Sequence, residues 1–348
     1  MASHDQLPSN QTGIIQHEGG ILQITHGLPI PELGPHQMLV KTAAVALNPC
    51  DYKMPLRFPT PGLWDGCDFS GTVVALGSEV AAQGRFHLGD KAFGAVQGSN
   101  MSDPMSGSYC EYIRTEPGLT FHVPKGMDLV AVPSLSGTAI ATLGVALFGH
   151  FSCPEHYTPQ HPSPRMSWYT AELRPPGNHH MFPHNSDLVT SYGADLVFDY
   201  HSPTCAEDIR AATRNTLRYA FDPFAEAKTL RLCHAAIGRT GGRYCALEQY
   251  QESLCSRKTI KHELVMGGAI SGRGVELPDP YGIPPQPEIG VWAQSWYLEL
   301  QQLIDDGKLK PCPTQIIPGK FAGILEGLDM LRNGRVSGKK LVVHMTTK

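Results

Sequence analysis

The chain has 348 residues, 41% of them hydrophobic and 17% charged, with a formal net charge of -4. This is the composition of a folded protein long enough for two domains, and the acidic balance excludes nucleic acid as a partner, because phosphate binding needs a basic surface. Residues 1–16 lack the charged-then-apolar order of a secretory leader, no apolar run approaches a membrane span, and nine cysteines without a CxxC pair read as free thiols; a cytoplasmic protein with no membrane partner is expected.

Residues 13–133 read as short strands broken by Gly and Pro with little helical period, which suits a partly open, β-barrel-like domain. Within it the apolar strand Met38 to Leu47 delivers Asn48-Pro49-Cys50-Asp51-Tyr52-Lys53 onto a strand-end loop, the usual place for ligands in open sheets. The tract Gly66-Cys67-Asp68-Phe69-Ser70-Gly71-Thr72-Val73 follows, then Gly89-Asp90-Lys91-Ala92-Phe93-Gly94. Residues 134–148, rich in Ala, Leu, Gly and Thr, form a helix crossing between domains. From Leu188 to about Ile270 apolar strands alternate with helical patterns, as a doubly wound sheet requires. Past a Pro-rich loop at 277–287, Val291 to Ile304 is an amphipathic helix. The helix Gly323 to Arg332 and the strand Lys340 to His344 then return to the first domain.

The blocks at 48–53, 66–73 and 89–94 together resemble the medium-chain dehydrogenase/reductase family. Its zinc-dependent branch has Gly-His-Glu where this chain has Gly66-Cys67-Asp68, and also a lobe of closely spaced cysteines. Cys50, Cys67 and Asp68 are a conceivable ligand set, but no histidine lies close by in sequence; the alternative is buried thiols packed beside strands, and no metal is expected. Within the zinc-free branch, the tracts at 186–200, 216–222, 235–244 and 331–343 are similar to the trans-acting enoyl reductases that serve fungal iterative polyketide synthases. The resemblance implies an α/β fold, with a GroES-like catalytic domain at 1–133 and 305–348 and a Rossmann-like, doubly wound nucleotide domain at 134–304.

A dinucleotide domain opens with a strand, a glycine-rich turn and a helix whose N-terminal amides face the phosphates. Residues 164–185, where that element belongs, hold no apolar strand and no glycine pair, so the domain lacks its first strand, glycine turn and helix. Among the degenerate codons for Met166 to Gly177 is a set that, read from the last base of the Met codon, spells Val-Leu-Val-Tyr-Gly-Gly-Thr-Thr-Ala-Thr-Gly. That is a buried strand running into a glycine-rich turn. A misplaced splice junction accounts for both the shifted frame and the loss; a natural deletion is the alternative.

The resemblance also implies the site. Cys50, Asp51, Tyr52 and Lys53 would lie near the nicotinamide, with Lys53 and Tyr52 the catalytic candidates. Lys53 could bind ribose or phosphate as a point charge, or be a solvated surface lysine. His184, Asn185 and Tyr200 would lie near the adenosine phosphate, Asn185 and His184 being alternatively turn residues capping the helix that begins near Asp187. No acid occupies the strand end that selects NAD, which favours NADPH. Leu247, Glu248, Val336 and Ser337 complete the cofactor set. Acyl substrate would lie along Ser136, Gly137 and Thr138 and along Gly268, Ala269, Ile270, Ser271 and Gly272, small residues that could equally serve close packing. The implied reaction is hydride transfer from NADPH to the β-carbon of an α,β-unsaturated acyl thioester in polyketide, or polyketide-peptide, secondary metabolism, with proton delivery by Tyr52 or water. The partner would be an iterative polyketide synthase or its acyl-carrier domain. Alternatives are a free-standing quinone or enone reductase, or a non-catalytic synthase partner.

Overall fold

The computed structural model describes residues 7–150 and 185–346. Two compact units are formed, the first from residues 7–141, Gly268–Leu277 and 283–346, the second from 142–150, 185–267 and Pro278–Gly282.

The first unit begins with the antiparallel pair β1 (Asn10–Gln16) and β2 (Leu22–Pro29). Next come β3 (Met38–Ala46), helix α1 (Pro49–Arg57), β4 (Asp68–Leu76), helix α2 (Ser78–Gln83), β5 (Lys91–Ala95), β6 (Tyr112–Thr115) and β7 (Thr120–His122). Strand β3 is buried along almost its whole length. It pairs antiparallel with both β4 and β6, and register irregularities at Leu39/Val40 and Thr42/Ala44 re-aim its side chains. Met38 and Val40 therefore enter one core cluster with Trp64 and Phe69, whereas Val45 and Leu47 enter another with Tyr109 and Ile324.

The run 48–53, expected as a loop, is instead the start of α1. Asn48 holds an extended N-cap conformation, Pro49 occupies the first helical turn, and the Asp51 carboxylate accepts the Asn48 backbone N–H at 2.8 Å. An N-cap Asn, a Pro with no donor to lose and an acid three residues on make a strong helix start.

Helix α3 (Gly137–Gly144) passes into a π-helical turn, Val145–His150. The second unit then carries helices α4 (Ser186–Ser191) and α5 (Cys205–Ala212), β8 (Tyr219–Asp222), α6 (Ala227–Ala236), β9 (Gly242–Ala246) and β10 (Ile260–Leu264). The three strands form a parallel sheet in the order β10-β9-β8, the pattern of a wound α/β sheet. The tract 186–200, at the start of the stretch expected to alternate apolar strands and helices, holds no strand: it forms α4 and then irregular turns, with Leu196 52% exposed. A strand needs a neighbour for its N–H and C=O groups, and among the described residues the outer edge of β8 has no partner.

The chain returns to the first unit with α7 (Pro287–Asp305), β11 (Thr314–Ile317), α8 (Phe321–Arg332) and β12 (Lys340–His344). Helix α7 buries Ala293, Tyr297, Leu300 and Ile304, one face at helical spacing. Tyr297 stacks on Phe121 with ring centroids 4.7 Å apart, and Gln301 accepts the His122 backbone N–H at 2.8 Å, so residues 287–304, expected in the nucleotide domain, pack within the first unit. Strand β12 runs antiparallel to β3 and parallel to β11, giving a seven-stranded sheet in the order β11-β12-β3-β4-β5-β7 with β6 on β3. Among the described residues no helix is long and apolar enough to cross a membrane.

Candidate active site

At one end of β3, β4 and β12 the first unit buries the carboxylate of Asp68. Its Oδ2 accepts from Asn48 Nδ2 at 3.1 Å and Ser136 Oγ at 2.9 Å, and pairs with Lys340 Nζ at 2.9 Å. Its Oδ1 accepts the backbone N–H of Thr138 at 2.8 Å and the Thr138 hydroxyl at 2.6 Å, placing a carboxylate against the first turn of α3, where helix amides are otherwise unpaired. Lys340 also donates to Asn48 Oδ1 and to Ser136 Oγ. Burial would lower the Lys340 ammonium, but the Asp68 carboxylate beside it prevails and holds it above the ordinary lysine value. Ser136 adopts a left-handed φ of 55°, a conformation that costs a non-glycine residue strain and is held by these bonds.

Asn48 links this network to a second acid. Asp51 is 1% exposed and, besides the Asn48 N–H, accepts the Tyr109 hydroxyl at 2.5 Å and the Cys50 thiol at 3.5 Å. Burial pushes the Asp51 carboxyl above its usual range. The Cys67 thiol hydrogen-bonds to Cys50. That contact lowers Cys50 but is outweighed by burial and the nearby acids, leaving it raised; Cys67 is pushed well up by the same contact and by burial. Gly66 makes the arrangement possible: at φ +90° a Cβ there would lie 2.3 Å from the Tyr109 ring, so only glycine lets that ring reach Asp51.

The cluster that could hold a metal here is therefore Cys50, Asp51 and Cys67, whose donor atoms lie within 4.8 Å of one another. The conceivable set of Cys50, Cys67 and Asp68 is not assembled, because Asp68 is committed to Lys340, Asn48, Ser136 and Thr138.

Of the cofactor candidates in the first unit, Cys50 to Lys53 lie on consecutive positions of α1, Lys53 half-buried. Tyr52 and Val336 pack against the same core cluster, while Ser337 is exposed. Among the substrate candidates, Ser136 and Thr138 hold Asp68. The close-packing alternative accounts for two glycines: a Cβ on Gly137 would lie 2.5 Å from the Gly94 backbone, and Gly272, at φ +73°, abuts Gly290. Gly268 to Ser271 lie on a 3-10 turn with Ala269 and Ile270 buried.

In the second unit, Leu247 and Glu248 follow the carboxyl end of β9, where open α/β sheets bind ligands. The Glu248 carboxylate accepts the Tyr281 hydroxyl at 3.4 Å. Asn185 precedes α4, and Tyr200 is half-buried with the Lys228 ammonium 5.4 Å from its ring centre. His184 and the segment 164–184 lie outside the described residues. Sequence reasoning missed Tyr109 and Lys340 as members of the buried network, and Lys228 as the neighbour of Tyr200. The one signal for Lys340 was a lysine opening an otherwise apolar strand.

Residues 34–125 match the alcohol dehydrogenase GroES-like domain. That domain, joined in one chain to a wound parallel sheet, defines the medium-chain dehydrogenase/reductase class. The enoyl reductase CurK, a solved structure, has the same fold, with a TM-score of 0.67 at 16% identity, over 97% of this chain and 99% of that one. Trans-enoyl reductase ffsC of Aspergillus flavipes is 48% identical over 97% of each chain. Trans-enoyl reductase phmE of Phaeosphaeria nodorum is 47% identical over 97% of this chain and 96% of its own. The chain belongs to the fungal trans-enoyl reductases, oxidoreductases of the medium-chain dehydrogenase/reductase family.

Proposed function

We propose that the protein is an NADPH-dependent reductase of α,β-unsaturated acyl thioesters, acting in the cytoplasm on chains carried by an iterative polyketide synthase or its acyl-carrier domain. The near-full-length likeness to proteins named trans-enoyl reductases carries this reading. The residues described fit a nicotinamide dinucleotide: a parallel sheet presents Leu247 and Glu248 at its carboxyl edge, and Lys228 with Tyr200 supplies a cation and a phenol suited to the 2′-phosphate that distinguishes NADPH. When bound, the cofactor supplies the hydride that adds to the β-carbon of the substrate. Lys53 would hold the cofactor's ribose or phosphate by charge, Val336 and Ser337 would line the same site, and Tyr52 or water would deliver the proton to the α-carbon.

No catalytic metal is part of this proposal. Both thiols of the Cys50–Cys67 pair are held protonated by burial and neighbouring acids, and Asp51 already accepts from Asn48 and Tyr109. Of the small residues Gly268, Ala269, Ile270, Ser271 and Gly272, the partly accessible Gly268 and Ser271 would face an extended acyl chain, while the others are packed against the protein. The glycine-rich turn recovered by a one-base shift across 166–177 belongs, on this proposal, to the active protein.

The test is to sequence the message across codons 164–185, express the encoded chain, and follow NADPH oxidation with an enoyl thioester on a carrier domain and with a small soluble enone. A higher kcat/KM for the carrier-bound thioester is expected, with NADH much the poorer donor. Equal or better turnover of the enone would make the protein a free-standing enone reductase. Absence of NADPH binding by a message-verified chain would make it a non-catalytic synthase partner.

A further inference from the structure

Three side chains of the second unit converge without any part in the proposed reaction. His234 on α6 and His262 on β10 bring their Nε2 atoms to 2.9 Å. Cys255, just beyond the turn Glu252–Leu254, adds its sulfur so that all three donor atoms lie within 4.8 Å of one another. His234 is 6% exposed, and the other two are half-buried. Aromatic rings wall the cluster: Tyr244 lies 5.7 Å from His234 and 5.9 Å from His262, and Tyr250 lies 5.8 Å from His262. The Tyr244 hydroxyl is turned to Asp222, to which it donates at 2.8 Å.

At 2.9 Å one imidazole presents an N–H to the lone pair of the other, so a single proton bridges the two Nε2 atoms. A second proton is disfavoured: burial lowers His262, and burial with His262 and Arg257 nearby lowers His234 to about 4. Two neutral imidazoles with converging nitrogens, a thiol at the same point and an apolar aromatic wall form a mixed nitrogen and sulfur donor set of the kind that suits a borderline divalent ion in tetrahedral geometry, with one position left for solvent.

We propose that His234, Cys255 and His262 form a binding site for a divalent transition-metal ion, zinc or cobalt. On binding, each imidazole carries its proton on Nδ1 and gives its Nε2 lone pair to the metal. The Cys255 thiol releases one proton and binds as thiolate, and water completes the shell. The thiolate charge offsets the Arg257 guanidinium, which donates to the carbonyls of His234, Ile237 and Gly238. The expectation of a metal-free protein is thereby confined to the first unit.

The test is to strip the full chain with a chelator and titrate it with Co²⁺. One equivalent is expected to produce sulfur-to-cobalt charge-transfer absorption and tetrahedral visible bands, bleached by zinc, and to raise the melting temperature. Cys255→Ser should abolish the charge-transfer band and weaken binding at least tenfold while melting like the apo parent; His262→Gln should weaken binding to a similar degree. A Cys50→Ser/Cys67→Ser double variant should keep the absorption. The proposal fails if no charge-transfer band forms, or if the band survives in Cys255→Ser and disappears in the double variant.

Discussion

The buried polar clusters of the two units are built on opposite terms. Around Asp68, four side chains and one backbone amide converge on a single carboxylate, and Lys340 neutralises it. Around His234, two nitrogens and a sulfur face one another with one proton to share. A carboxylate so fully supplied with donors and a counter-ion is a lock: its hydrogen bonds fix the ends of β3, β4, β12 and α3. Lone pairs that converge with one shared proton between them instead favour a cation, which is the chemistry the proposed metal site requires.

Breaking the lock should have the largest effect. Lys340→Met leaves Asp68 as an uncompensated buried charge, expected to cost about 3–5 kcal/mol. Pairing it with Asp68→Asn should recover most of that loss. Urea unfolding of the single and double variants reads both, and a single-variant loss below about 1 kcal/mol, the size of a surface pair, would return Lys340 to an ordinary surface lysine.

In the message-verified chain, Lys53→Ala should leave folding intact but weaken NADPH binding by about 1.5–3 kcal/mol, the size of a charge-assisted contact. Fluorescence titration against a matched unfolding curve checks it, and unchanged affinity removes Lys53 from the site. Gly66→Ala sets a side chain against the Tyr109 ring and should destabilise by about 1–3 kcal/mol; a wild-type unfolding midpoint would show that the ring moves aside freely.

The smallest effects are opposite pH slopes. Burial raises the carboxyls of Asp51 and Asp65. Above about pH 4, where a free Asp ionises, the unfolded chain therefore sheds protons first and stability falls as pH rises through the folded values. The lowered imidazoles act the other way: below about pH 6.5 the unfolded chain takes up protons first, so stability falls as pH drops toward the folded value of about 4 for His234. Unfolding midpoints between about pH 4 and 7 should therefore rise more steeply with pH in Asp65→Asn and less steeply in His234→Gln. No change of slope in either variant would mean that these groups titrate alike in both states.

Much of the first unit was legible in the sequence. The apolar run ending at Leu47, the turn at Gly66 and the glycine-flanked tract at 89–94 are local signals, and each marks a strand or its end. The partnership of Asp68 with Lys340 was not legible, since it depends on which strand lies beside β3. That Asp51, and not Asp68, lies beside the thiols was not legible either: α1 begins at Pro49 and its capping turns Asp51 inward. The amphipathic pattern of α7 was visible, but its docking depends on Phe121 and His122, far away in sequence. The donors at 234, 255 and 262 follow no familiar metal-ligand spacing, and only the packing of α6 on β9 and β10 brings them together.

Lys340 also dictates a timetable. It donates to Asn48 across 292 residues of sequence, and its strand fills an interior position of the sheet between β11 and β3. A ribosome extends the chain by roughly 5–20 residues per second, so Asp68 emerges many seconds before its counter-ion exists. Residues 142–267, by contrast, appear in one stretch. The second unit, complete once Pro278–Gly282 has emerged, can therefore fold during synthesis, while the first waits with an unfinished sheet edge, and that interval is when nascent chains are most exposed to mispairing.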